Sequence, residues 1–232
     1  MKVSKTCLVL ALGIRLGASA FGQSAQNSRV VQHKDVLERQ VAINGLEKIT
    51  IGDAFREALS SANAPGGIVL PGDCAKEVEY KLDITSTSLR DVLDSIVSAV
   101  PSYRWQYKDG VVNLIGVRDV SALLGLRIKD FEVKNAKTLY GAYSELMNLI
   151  EVKQRLAEVN ITQVRQEIGL EDLRRSGSGV DDGQQGFSVS CSNVTFREAL
   201  NAIVRANGKG VWAYSERHCN GRDEIVINFI AR

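Results

Sequence analysis

The sequence predicts an α+β fold: two small β-α-β-β-α-β-β modules in tandem, each a mixed sheet packed against two helices. Three observations predict it. Residues 80–115 return in altered form as residues 187–230, so Leu89, Arg90, Leu93, Ile96, Trp105, Tyr107 and Asn113 fall over Phe196, Arg197, Leu200, Ile203, Trp212, Tyr214 and Asn228. The pentapeptide Phe55-Arg56-Glu57-Ala58-Leu59 recurs letter for letter at Phe196 to Leu200. In each half the apolar period changes from two residues to three and four, the signature of a strand followed by a one-sided helix.

Taken in order, Ile49 and Ile51 form a leading strand, and Asp53 is an N-cap for a helix carrying Phe55, Ala58, Leu59 and Ala62 on one face. Gly66-Gly67 ends that helix, and Ile68-Val69-Leu70 is a short strand closed by Pro71-Gly72. Val78, Tyr80, Leu82 and Ile84 alternate as a half-buried strand. Leu89, Val92, Leu93, Ile96, Val97 and Val100 then line a helix that starts at Ser88 with Asp91 and stops at Pro101. Tyr103, Trp105 and Tyr107 alternate up to Asp109-Gly110, a tight hairpin turn before Val111.

The second half repeats the plan. Leu126 to Val133 is its leading strand, and Leu139, Ala142, Tyr143, Leu146, Met147 and Ile150 its first helix. Phe187, Val189 and Cys191 alternate ahead of a helix opened by the Thr195/Glu198 capping box and closed by Gly208. Ser215 to Glu224 replaces the tight turn with a longer loop. Where the second strand belongs there is instead an insertion, residues 151–186: charged and helix-prone to about residue 175, with Val152, Leu156 and Val159 prolonging the preceding stripe, then the loop-like SGSGVDDGQQG.

On these residues (Ile49 to Ala62, Ile68 to Leu70, Thr87 to Leu93 and Trp105 to Ile115) the chain resembles the short N-terminal domain shared by secretins and TonB-dependent outer-membrane receptors. The match covers about residues 46–118 and, more loosely, about 124–232, which sets the modules at 46–118 and 119–232. The resemblance implies a docking module at the outer membrane. No receptor barrel or secretin pore sequence follows.

Residues 1–20 carry Lys2 and Lys5, an apolar run from Cys7 to Leu12 and Ala18-Ser19-Ala20, which together read as a secretory signal peptide cleaved after Ala20. The apolar run is too short to span a bilayer. Loss of Lys2, Lys5 and Arg15 takes the formal net charge from +2 to −1. A near-neutral surface lacks the clustered basic face of a nucleic-acid binder. Residues 21–45 are polar and read as a flexible tail, with Val36, Leu37 and Val41 as a short helical segment. Residues 116–125, with Val120, Leu123 and Leu124, form a connector packed against one module.

Candidate chemistry is sparse. In an oxidising compartment Cys191 and Cys219, in one module, are the preferred disulfide, leaving Cys74 as a lone thiol or an intermolecular link. His218-Cys219 suggests a thiol nucleophile, but neighbours on a strand point to opposite faces. No zinc-type spacing, calcium loop or phosphate-binding glycine loop occurs, so no metal or cofactor is expected. Asn160-Ile161-Thr162 and Asn193-Val194-Thr195 match the glycosylation pattern. Trp105 and Trp212, each with a tyrosine two residues on, read as core.

The expectation is thus an exported, periplasmic or secreted, non-enzymatic protein that binds an envelope protein through Ile68, Val69 and Leu70 as a sheet edge or through the insertion. The alternatives are a thiol-dependent enzyme using Cys219 with His218, or Cys74, and a glycan binder using exposed Trp212 and Tyr214.

Overall fold

A computed structural model describes residues 36–42, 49–72, 79–80, 87–117, 121, 123–159, 161, 163–166, 186–219 and 222–230, all within Gln32–Arg232. The signal segment with Ala20, His33, Cys74 and residues 167–185 lie outside them. In the first half the elements are β1 (Gln40–Val41), β2 (Ile49–Thr50), α1 (Ile51–Ala62), β3 (Gly66–Val69), β4 (Glu79–Tyr80), β5 (Thr87–Ser88), α2 (Leu89–Ala99), β6 (Tyr103–Lys108) and β7 (Val111–Gly116). In the second they are β8 (Arg127–Ala136), α3 (Leu139–Met147), α4 (Ile150–Glu158), β9 (Gln163–Gln166), β10 (Phe187–Thr195), α5 (Phe196–Asn207), β11 (Val211–Cys219) and β12 (Arg222–Ile230). The fold is α+β.

The helices begin where short polar side chains can hold free backbone N–H groups. Thr50, Ser88, Thr138 and Thr195 are the N-caps of α1, α2, α3 and α5, each accepting from the backbone N–H three residues on. Asp53 is therefore not the cap of α1 but the partner inside its first turn, where its carboxylate accepts from the Thr50 hydroxyl at 2.9 Å. The stop of α1 is Asn63, in the left-handed region at φ 48°, which frees Gly66 and Gly67 to enter β3. Arg39 Nη1 donates to the Ala62 and Asn63 carbonyls at 2.9 and 3.1 Å, a cation at the negative helix end.

Residues 36–42 are not part of a flexible tail. Val36, Leu37 and Val41 are buried, and β1 pairs antiparallel with β5. Nor is Ser215 to Glu224 a long loop: β11 and β12 stay paired out to Cys219↔Arg222. The turn Asp109-Gly110 takes positive φ at both residues (52° and 81°), as a tight hairpin requires.

Strand pairing follows one scheme in both halves. An antiparallel ribbon precedes the second helix, β1–β5 with β2–β4 in one half and β8–β10 in the other. An antiparallel hairpin follows it, β6–β7 and β11–β12, with Gln106 opposite Asn113 and Ala213 opposite Asn228. The second hairpin strand then pairs in parallel with an earlier strand, β7 with β3, which follows α1, and β12 with β9, which follows α3 and α4.

The halves do not keep separate sheets. Their hairpins and parallel strands join in one six-stranded sheet, β6-β7-β3-β11-β12-β9, through the parallel β3–β11 pair. Ile68 and Val69 are consequently interior: β3 is hydrogen-bonded on both sides, and the Leu70 N–H donates to the Tyr214 carbonyl at 2.7 Å. They form no edge. The short run of β3 was visible in the sequence, but its second partner lies 145 residues on, Gly66 pairing with Val211, and leaves no local signal.

Side chains alternate between two cores, as the two-residue strand period demands. Ile68, Val112, Leu114, Val211 and Ala213 join α1 and α2 through Phe55, Leu59, Leu89, Leu93 and Ile96. Val69, Val111, Ile115, Trp212, Tyr214, Ile227 and Phe229 join α3 and α5 through Tyr143, Leu146, Phe196, Leu200 and Ile203. Each half thus lays its helices on the opposite face of the shared sheet.

Candidate functional site

The two tryptophans hold corresponding places. Trp105 Nε1 donates to Asp94 Oδ1 on α2 and Trp212 Nε1 to Asn201 Oδ1 on α5, both at 2.8 Å. They differ in exposure. Trp212 and Tyr214 are buried and offer no face for a sugar ring, which removes the glycan site built on them. Trp105 is half-buried, with the Arg90 guanidinium 5.9 Å above its ring centre.

At the seam between the halves, Ser121 Oγ donates to Glu216 Oε1 at 2.6 Å and lies 3.0 Å from the Tyr214 hydroxyl, which also bonds Glu216. The Leu124 N–H donates to Ser121 Oγ at 3.0 Å. This polar knot anchors the connector, whose Leu123 and Leu124 are buried in the second core.

Cys191 is a free thiol on β10, half-buried, and burial pushes its pKa up, away from the reactive thiolate. His218 and Cys219 end β11, opposite Asp223 and Arg222; their side chains, like all of Cys74, fall outside the described residues. Among the described residues no group of three or more His, Cys, Asp or Glu is placed to hold a metal ion. No helix among them is long and apolar enough to cross a membrane. Thr195 of the Asn193-Val194-Thr195 pattern is occupied as the cap of α5.

One acidic group has a strongly altered environment. Glu198 accepts from the Thr195 N–H at 2.8 Å and from Lys108 Nζ at 2.9 Å. The Thr195 backbone bond first, then the lysine, lower its pKa to about 2. That bridge ties the β6–β7 turn to α5, and Arg205 Nη1 adds a bond to the Asp109 carbonyl at 3.2 Å. Glu198 is therefore a structural clasp.

Among the described residues, β6 and β9 are the outermost strands of the sheet. Strand β6 sets Tyr103, Trp105 and Tyr107 towards the helices and leaves Arg104, Gln106 and Lys108 exposed. Strand β9 lies inside the segment expected to be an insertion without a strand, pairing Gln163 to Gln166 with Glu224 to Ile227. Its Val164, level with the buried Ile225, is 36% exposed. The signal for β9 was faint: Ile161, Thr162 and Val164 are β-branched residues within a charged, helix-prone run.

No family model, curated protein or solved structure matches the chain.

Proposed function

We propose that the chain is two copies of one β-α-β-β-α-β-β module, exported and non-enzymatic, which holds a protein partner of the cell envelope at an open end of its sheet. The observation that carries this reading is β9. Among the described residues it is a terminal strand, paired with β12 alone, and it carries the exposed Val164. An edge of this kind presents a row of backbone donors and acceptors that an incoming strand satisfies without rearrangement. The repeated pairing scheme supports the duplication, and the resemblance to the short N-terminal domain of secretins and TonB-dependent receptors supports docking and export. The interior place of β3 moves the binding edge from Ile68, Val69 and Leu70 to Gln163–Gln166.

The test is capture of an envelope protein by the chain from residue 21 onward, compared with Val164→Lys, a charge at the edge that disfavours strand addition. Loss of capture with an unchanged melting temperature is expected. Equal capture by both proteins, and by a third lacking residues 176–185, removes the reading.

A further inference from the structure

The two tryptophans differ in what lies beyond their strands. Trp212 on β11 is wholly buried, because β3 runs alongside and sets Gly67 against the indole. Trp105 holds the matching place on β6 but is only half-buried, and among the described residues β6 pairs with β7 alone. Tyr103, Trp105 and Tyr107 turn to the side of α1 and α2. Arg104, Gln106 and Lys108 alternate with them and are exposed.

The hydrogen-bond phase of β6 fixes which backbone groups point outward. The Val117 N–H donates to the Ser102 carbonyl at 2.8 Å. Bonded and non-bonded residues alternate along an antiparallel pair, so Ser102, Arg104, Gln106 and Lys108 bond to β7. Trp105, between them, turns its N–H and C=O away from β7. Towards the start of the strand the Tyr103 N–H is already given to the Val100 carbonyl at 3.0 Å. Trp105 is therefore the centre of the outer side of β6.

We propose that this side of β6 pairs with β6 of a second copy of the chain, antiparallel about a two-fold axis at Trp105. Outward residues must meet outward residues, which leaves two registers of fullest overlap. One sets Arg104 opposite Lys108 of the second copy, and like charges directly opposite each other destabilise a sheet. The other sets Trp105 opposite Trp105, Arg104 opposite Gln106 and Lys108 opposite Ser102, so no two like charges stand directly opposite. In that register the two Trp105 residues exchange both of their backbone hydrogen bonds at the axis.

The helices agree with this arrangement. A two-fold axis normal to the sheet keeps α1 and α2 of both copies on one face, and the two α2 helices come side by side with opposed dipoles. Arg90 and Asp94 both reach the Trp105 indole, the guanidinium 5.9 Å from the ring centre and the carboxylate accepting from Nε1 at 2.8 Å. They are exposed charges of opposite sign, one helical turn apart at the sheet edge. The axis sets this pair beside its own reverse, so each copy complements the other. The contact is isologous and closes at a dimer. It lies at the opposite end of the six-stranded sheet from β9, so self-pairing and envelope docking use different edges.

The charge at position 106 tests both the pairing and its register. In sedimentation velocity the chain from residue 21 onward should pass from monomer to dimer as concentration rises and form nothing larger. Gln106→Glu, which sets a carboxylate opposite Arg104, should tighten the dimer several-fold, and Gln106→Lys should weaken it several-fold. Gln106 is exposed, so both variants should melt with the wild type when dilute. Mixing Arg104→Cys with Gln106→Cys under mild oxidation should give a disulfide dimer, beyond the wild-type level, that neither variant gives alone. In Trp212→Phe the emission of Trp105 should move to the blue as the dimer forms, and Val164→Lys should leave the dimer unchanged. A monomer at every concentration in both the wild type and Gln106→Glu overturns self-pairing. Weakening by both charge variants, or disulfide dimers from either cysteine variant alone, overturns the register, and loss of the dimer in Val164→Lys overturns its place on β6.

Discussion

The ring of Trp212 lies directly over Gly67, so that the parallel joint between β11 and β3 closes only because residue 67 has no side chain. Gly67→Ala should destabilise the fold by about 1–3 kcal/mol or more through overpacking. Trp212→Leu should relieve that collision, making the double variant less unstable than the sum of the single changes. Urea denaturation of the four proteins in a double-mutant cycle measures the coupling.

The two tryptophans should separate in stability and in light emission. Trp212 is wholly buried, and Trp212→Ala should cost about 3–5 kcal/mol. Trp105, half-buried at the sheet edge, should cost distinctly less on the same change. Trp105→Phe should leave a blue-shifted fluorescence spectrum from Trp212, whereas Trp212→Phe should leave a red-shifted one.

Stability should fall in acid partly through Glu198. A glutamate titrates near ~4.3 in an unfolded chain and at about 2 here. The lower folded value means that its contribution is complete above the unfolded value and fades as pH falls from there through about 2. The advantage of the wild type over Glu198→Gln in thermal melts should shrink across that window and stay level from pH 5 to 7. Thr195→Ala, which removes the cap itself, should cost about 0.5–2 kcal/mol at neutral pH.

Cys191 should react slowly. Its half-buried thiol has a raised pKa, so its thiolate fraction at pH 7.5 is below that of an exposed cysteine. Labelling with a disulfide reagent, followed by peptide mapping, should show Cys191 modified several-fold faster in urea than in the native protein. Equal rates would contradict the burial.

Much of the local structure was legible in the sequence. The apolar stripes of α1, α2, α3 and α5 are set by spacing alone, and Ser88, Thr195, Pro101, Gly208 and Asp109-Gly110 mark their ends and turns through chemistry that acts over three or four residues. What escaped depends on partners distant in sequence. Nothing near Ile68 announces that its strand is flanked on both sides, and β9 is too short and polar to stand out from the charged segment around it. Val36 and Leu37 looked like tail because their burial depends on α1 and α2, which follow them in the chain. The strand expected at an edge, Ile68 to Leu70, is therefore an interior one.

Val211 and Ala213 sit in the core of the first half, while Val69, Val111 and Ile115 sit in that of the second. Neither half is therefore portable. A cut in the connector should yield two fragments that remain unfolded apart yet reconstitute when mixed, and a gene carrying one half alone would have to rebuild its exposed flank before it could stand as an independent protein.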